Sequence, residues 1–101
     1  MNEYVFHKRS TKYEIFFHLF SNTVILLGGI SKTDVYKSTR DKTKTIEELK
    51  TALQVLIDND IDMIICEFFR NVEEIEWAIE LAKSYGKPVA ATMAIGNTQL
   101  L

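Results

Sequence analysis

The chain has 101 residues, of which 47% are hydrophobic and 26% charged, and its formal net charge is -2. This length allows one domain at most, and a charge so near zero does not favour nucleic acid or anionic lipid as a partner. No stretch approaches the ~20 apolar residues of a membrane-spanning helix. We therefore expect a soluble, cytoplasmic protein, without nucleic acid or membrane partners, whose function comes from a specific site.

The first 22 residues do not fit the pattern of the rest, and we assign them as a divergent leader before a domain that covers residues 23–101. The stretch EYVFHKR is compatible with a strand, whereas four aromatic residues are compatible with one face of a helix, namely Tyr13, Phe16, Phe17 and Phe20. We favour a helix over about residues 11–21.

From residue 23 onward, three short apolar runs alternate with helical periods. The runs are TVILLGGIS, IDMIICEFF and VAATMAI, and we predict that each forms a strand. The first is typical of a strand that is covered on both faces, and the second has high β propensity. Thr45 and Glu48 have the spacing of a capping box at the start of the first helix, and Asn71 and Glu74 have the same spacing at the second. Asn59 is suited to a left-handed position at the end of the first helix.

The order strand, helix, strand, helix, strand predicts an α/β fold with three parallel strands and right-handed crossovers. The loops that follow parallel strands meet at one edge of the sheet, where ligands bind. That edge would carry Gly28, Gly29, Glu67, Phe68 and Thr92. The carboxylate of Glu67 is suited to holding a ligand ammonium, but it is also compatible with a solvated acid near the N-terminus of the next helix.

Metal and nucleotide sites have little support from the residues themselves. The GGIS turn lacks both the G-x-G-x-x-G spacing and the lysine of a phosphate-binding loop. His7, His18 and Cys66 are the soft ligands of the chain, and they make a poor zinc site because two come from the leader and one from an apolar strand. We expect Cys66 to pack as a small hydrophobic residue.

The chain nevertheless resembles a known family, through LLGGIS, EFFRNVEEIEWAIE and GKPVAATMAIG in unbroken order. These motifs are similar to those of the homocysteine S-methyltransferases, especially the betaine–homocysteine type, over about residues 24–96. The resemblance implies a (β/α)8 barrel in which the zinc-bound thiolate of homocysteine takes a methyl group from betaine or a related donor and becomes methionine.

By this resemblance, Glu67 matches the strand-end glutamate that binds the homocysteine amino group. Phe68 stands where many betaine-type members have a tyrosine, so a hydroxyl contact to the methyl donor is lost. Gly28, Gly29 and Thr92 are weaker candidates at the same edge. The family's three zinc-binding cysteines have no counterpart here, so we expect a partial barrel that binds no zinc and transfers no methyl group by itself.

Two alternatives remain from the residues alone. One is a non-catalytic interaction module that associates with itself, because a partial barrel exposes strand edges and apolar surface. The other is a small flavodoxin-like α/β domain, which agrees with the periodicity but usually needs five strands, whereas three are clear here.

Overall fold

The computed structural model describes residues 2–9, 13–20 and 23–94. Within these ranges the chain forms a mixed five-stranded sheet in the order β1-β2-β3-β4-β5, and three helices. The strands are β1 (Asn2–Arg9), β2 (Tyr13–Phe20), β3 (Thr23–Ile30), β4 (Met63–Phe69) and β5 (Val89–Met93). The helices are α1 (Asp34–Thr39), α2 (Lys42–Asp58) and α3 (Val72–Lys83).

The predicted α/β class is confirmed, and the three apolar runs form β3, β4 and β5, which pair in parallel. The last two residues of the VAATMAIG motif, at positions 95 and 96, lie outside the described residues. Among the described helices, none combines the length and the apolar character that crossing a membrane requires.

The prediction of a helix over residues 11–21 is wrong, because residues 13–20 form β2, antiparallel to both β1 and β3. The reason is visible at two adjacent residues. Ile15 pairs with Gly28 and Phe16 pairs with Leu27, so the two side chains leave opposite faces of the sheet, yet both are buried. A run of apolar residues that is buried on both faces loses the period of two that would identify a strand.

The predicted capping box at Thr45 is also wrong, because α2 begins one turn earlier. The N-cap is Asp41, whose side chain accepts a hydrogen bond of 3.0 Å from the backbone N–H of Lys44. Thr45 is instead fully buried inside the helix. A carboxylate at the N-cap satisfies an orphan amide of the first turn, which favours the earlier start.

Two further local expectations need correction. The segment between β3 and α2, expected to be a loop, contains α1, whose N-cap Thr33 accepts a 3.1 Å hydrogen bond from the backbone N–H of Tyr36. At the end of α2, the residue with a left-handed backbone is Asp60, at φ 56°, while Asn59 has φ -98°.

The sheet has two different faces, and the difference decides where a site can form. Helix α2 packs against β2 and β3, and α3 against β4 and β5. Ile30 and Cys66, which are register partners, are buried in the core with these helices. Gly29 and Ile65 are the preceding register pair, so they lie on the opposite face. We call this second surface, which also carries Glu67, the helix-distal face.

Candidate functional site

The two glycines of β3 serve different faces of the sheet. A Cβ atom on Gly28 would lie 2.9 Å from Cδ2 of Leu56 and 3.1 Å from Cγ2 of Ile61, so this glycine lets α2 approach the strand closely. A Cβ atom on Gly29 would lie 2.8 Å from Oε2 of Glu67. The predicted edge residues Gly28 and Gly29 are therefore neighbours in sequence, but only Gly29 lies beside Glu67.

The carboxylate of Glu67 lies over the backbone of β3 because Gly29 has no side chain there. Glu67 follows the buried Cys66 on β4 and is itself half-buried. On the other side of Gly29, its register partner on β2 is Glu14, also half-buried. Two acidic residues thus flank one glycine on the helix-distal face, an arrangement suited to a cationic group such as an ammonium.

Sequence reasoning missed Glu14 because a helix was expected there. Once residues 13–20 are assigned as a strand antiparallel to β3, register alone places Glu14 opposite Gly29. The sequence signal was that EIFF and LLGG lie close enough in the chain to pair as the two strands of a hairpin. The helix-like spacing of the aromatic residues made this pairing hard to recognise.

Phe68 occupies an irregular position in β4. The pairing of β4 with β5 is regular up to Cys66 and Ala91 and resumes at Phe69 and Met93, which leaves one extra residue on β4. Phe68 is at this bulge. Its backbone is left-handed, at φ 60°, and the residue is 56% exposed. The bulge turns Phe68 outward and returns Phe69 to the core, where it is fully buried.

A shallow cleft lies at the carboxyl ends of the parallel strands. It is lined by Ser31, Lys32, Phe68, Arg70 and Ala94. Of the residues predicted at this edge, Phe68 lines the cleft. Thr92 lies on β5 and is exposed, two residues after Ala90, the register partner of Ile65. Strand alternation therefore places Thr92 on the helix-distal face.

A buried carboxyl group connects α3 to the loop that follows β3. Glu74 of α3 is 1% exposed, and its Oε2 accepts hydrogen bonds from both the backbone N–H of Thr33, at 2.9 Å, and the Thr33 hydroxyl, at 2.7 Å. The expected capping pair of Asn71 and Glu74 is therefore wrong in detail. Asn71 is the N-cap residue, but its side chain makes no capping hydrogen bond.

A second contact joins the same two segments. The hydroxyl of Tyr36 donates a 3.0 Å hydrogen bond to Oε1 of Glu73, the residue before Glu74 on α3. Burial, together with the bond and the negative charge of Glu73, raises the pKa of Tyr36. The phenol therefore stays protonated and acts as a donor throughout the physiological range. Sequence reasoning missed these contacts because each joins residues about forty positions apart.

The described residues do not fit a zinc site of the kind the resemblance implies. Within the described ranges, no three His, Cys, Asp or Glu side chains converge on one point. Cys66 is fully buried on the helix side of the sheet, as predicted for a packing residue, and its burial raises the pKa of its thiol to about 11. A thiol that resists ionisation is a poor metal ligand.

Comparison with known proteins bears on the origin of this arrangement. The family model for homocysteine S-methyltransferase matches residues 7–101. A betaine–homocysteine S-methyltransferase of Danio rerio is 42% identical over 72 residues, which are 71% of this chain and 18% of the relative. The relative of the same name from Sus scrofa is also 42% identical over 72 residues, or 26% of its length.

A third relative differs in its methyl donor. An S-methylmethionine–homocysteine S-methyltransferase of Mus musculus is 39% identical over 72 residues, which are 71% of this chain and 20% of the relative. The chain thus spans about a fifth to a quarter of the length of these relatives. The family match begins at residue 7, so it extends further into the assigned leader than the quoted motifs indicated.

The fold and the site define an α/β protein whose parallel strands carry polar residues at their carboxyl ends. Within that class, the chain belongs to the homocysteine S-methyltransferase family.

Proposed function

We propose that this chain is a part of a homocysteine S-methyltransferase fold that contributes the contact for the substrate amino group. The observation that carries the proposal is the carboxylate of Glu67, which lies over the side-chain-free backbone of Gly29. A half-buried carboxylate attracts an ammonium group more strongly than a fully solvated one, because less water screens the interaction. Glu14, on the other side of Gly29, adds negative charge to the same surface.

In this proposal β3, β4 and β5 correspond to three consecutive strands of a (β/α)8 barrel. The helix-distal face would then be the barrel interior, and the cleft beside Phe68 would belong to the catalytic end, where the loops after the strands meet. This arrangement agrees with the parallel pairing of the three strands and with helices on the opposite face. Thr92 is a weaker candidate contact at the same end.

The methyl donor would be betaine or a related small molecule, since the relatives named above use betaine or S-methylmethionine according to their names. Phe68 offers the donor an aromatic surface but no hydroxyl group. An aromatic face attracts a quaternary ammonium or a sulfonium group through its quadrupole. Phe68 therefore remains suited to a positively charged methyl donor.

We further propose that these 101 residues do not transfer a methyl group by themselves. The sequence has one cysteine, and it is buried with a raised pKa. Without zinc activation, homocysteine would be held mainly by a partly solvated ion pair worth about 1 kcal/mol or less, from which the cost of immobilising the ligand is subtracted. We expect a dissociation constant weaker than about 1 mM, or roughly -4 kcal/mol.

The contact is tested by following backbone amide resonances during a titration with L-homocysteine up to about 20 mM, a range that detects such weak binding. We expect gradual shifts at Gly29 and Glu67 that the analogue without an amino group, 4-mercaptobutyrate, does not produce. Glu67→Gln should reduce them. Glu76→Gln, which removes the same charge from an exposed position of α3, should not.

One result would contradict the proposed contact, and another would contradict the predicted weak affinity. If neither resonance shifts at any homocysteine concentration, Glu67 does not contact the amino group. If binding saturates at micromolar concentration and disappears in Glu67→Gln, the contact is correct, but the chain contains a complete pocket and the predicted weakness is wrong.

A second candidate function is self-association, favoured by the edge strand β5. Its sequence, VAATM, has no charged residue, and Ala91 and Thr92 are exposed. In the described part of the chain β5 pairs with β4 alone, and an uncharged edge strand is a template for pairing with another chain. Light scattering over a range of concentrations tests this function. A dimer that Ala91→Lys disrupts would support it, whereas a monomer at every concentration would exclude it.

A further inference from the structure

We infer that Glu74 is a positioning residue, which fixes the loop after β3 relative to the strand that carries Glu67. The loop consists of Ser31, Lys32 and Thr33. Its first two residues line the cleft together with Phe68. The functional meaning of this inference rests on the proposed homocysteine contact, whereas its structural claim does not.

The geometry assigns this task to a single oxygen atom. Oε2 of Glu74 accepts from the amide and from the hydroxyl of Thr33, at 2.9 and 2.7 Å, so the bonds fix both the backbone and the side chain of that residue. The Thr33 hydroxyl oxygen in turn accepts from the backbone N–H of Tyr36, which starts α1. The Glu74 carboxyl group is thus bonded to the residue at which the loop ends and α1 begins.

The second oxygen of the Glu74 carboxyl group does not add to the stability of the fold. Oε1 of Glu74 is buried and has no hydrogen-bond partner among the described residues. A buried polar atom without a partner is destabilising, which offsets part of the gain from the two bonds at the other oxygen. Buried polar groups of this kind can specify one arrangement of a structure rather than add to its stability. The two bonds from Thr33 to Oε2, beside an unpaired Oε1, thus favour a role for Glu74 in positioning the loop.

The position of the loop matters for the site because the loop is attached directly to β3. Ser31 follows Ile30, and Gly29 beneath the Glu67 carboxylate is only four residues before Thr33. On the other side, Glu74 follows Glu67 by seven residues, through the Phe68 bulge and the start of α3. The contact between Thr33 and Glu74 therefore links the segment that follows β3 to the segment that follows β4.

The test compares variants that keep or remove the acceptor in the full 101-residue chain. Glu74→Gln keeps an oxygen that accepts both bonds, whereas Glu74→Leu removes it at similar volume. Tyr36→Phe is the matched control, because it removes a hydrogen bond between the same two helices without touching Thr33. The readouts are amide hydrogen exchange at Thr33, the amide resonances of Gly29 and Glu67, and thermal unfolding.

We expect Glu74→Leu to accelerate exchange at Thr33 by at least about 10-fold beyond any change in global unfolding, and to shift the resonances of Gly29 and Glu67. In Glu74→Gln and in Tyr36→Phe, the exchange rate at Thr33 and the resonances of Gly29 and Glu67 should stay close to those of the wild-type chain. If Glu74→Leu does not fold, the pair Thr33→Val and Thr33→Ser makes the same comparison from the donor side, with loss expected in the first and retention in the second.

Unchanged exchange at Thr33 or unmoved resonances in the acceptor-free variants would overturn the inference. So would equal effects in Tyr36→Phe, which would indicate a general structural role. In the homocysteine titration, the shift at Glu67 should be lost in Glu74→Leu and kept in Glu74→Gln. If the wild-type chain shows no homocysteine response, the proposed function fails, while the exchange and resonance data still decide the role of Glu74.

Discussion

Replacing each glycine of β3 by alanine separates the packing face of the sheet from the face that carries Glu67. In Gly28→Ala the new methyl group would lie 2.9 and 3.0 Å from the two terminal carbons of Leu56 and 3.1 Å from Ile61. Both neighbours are fully buried, so neither has free space into which it can move. In Gly29→Ala the nearest atoms belong to the end of the flexible Glu67 side chain, at 2.8 and 3.1 Å.

The magnitudes follow from these neighbours. Overpacking a close-packed core costs about 1 to 3 kcal/mol, and replacing glycine by alanine returns about 0.4 to 1 kcal/mol by restricting the unfolded chain. We expect Gly28→Ala to lose roughly 1 to 2 kcal/mol, at about 4 to 8 °C of melting temperature per kcal/mol. For Gly29→Ala the carboxylate turns aside, and we expect stability within about 0.5 kcal/mol of wild type.

Urea unfolding followed by circular dichroism measures both changes, and the amide resonance of Glu67 reports the displaced carboxylate. Gly29→Ala should move that resonance and weaken the homocysteine response, while Gly28→Ala should leave the resonance in place. A Gly29→Ala variant as destabilised as Gly28→Ala would refute the assignment of the two glycines to opposite faces.

Three further predictions concern other parts of the chain. Burial raises the pKa of Cys66 to about 11, so the thiol of the unfolded chain, with a pKa of about 8.5, ionises first as the pH rises. The free energy of unfolding should therefore fall between about pH 8.5 and 11. Urea unfolding at several pH values should show a smaller fall for Cys66→Ala. Asp41→Ala removes the N-cap of α2 and should cost about 1 kcal/mol in the same assay, whereas an unchanged midpoint would mean that the cap is not formed. Phe68→Gly relieves a left-handed backbone at an exposed residue and should raise stability by roughly 1 kcal/mol; a lower melting temperature would show that the Phe68 ring packs in solution.

The parallel part of the fold was predictable because each of its strands is a continuous apolar run. Apolar runs bounded by glycine or by polar residues predicted β3, β4 and β5. The rule that strand ends share one edge placed Phe68 beside the loop after β3. The assignment of Gly28 and Gly29 to opposite faces was equally predictable, because adjacent strand residues face opposite sides of a sheet. From the sequence alone, we instead assign both glycines to one turn.

The antiparallel hairpin was not predictable from periodicity. Ile15 and Phe16 are both buried although they face opposite sides of the sheet, so the aromatic spacing agreed with a helix as well as with a strand. The role of Glu74 was also hidden, because local spacing suggested a cap for α3, while its partner Thr33 lies 41 residues away. Long-range hydrogen bonds leave no local pattern in a single sequence.

The central claim is that these residues hold a homocysteine contact without the means to activate the thiol. The most direct test is an assay for methionine formation by the purified 101-residue chain with homocysteine, betaine and added zinc, beside the Danio rerio relative as a positive control. The account predicts no zinc-dependent methionine above a reaction without protein. Zinc-dependent methionine from this chain alone would contradict it, and would mean that its residues assemble a metal site that the described structure does not contain.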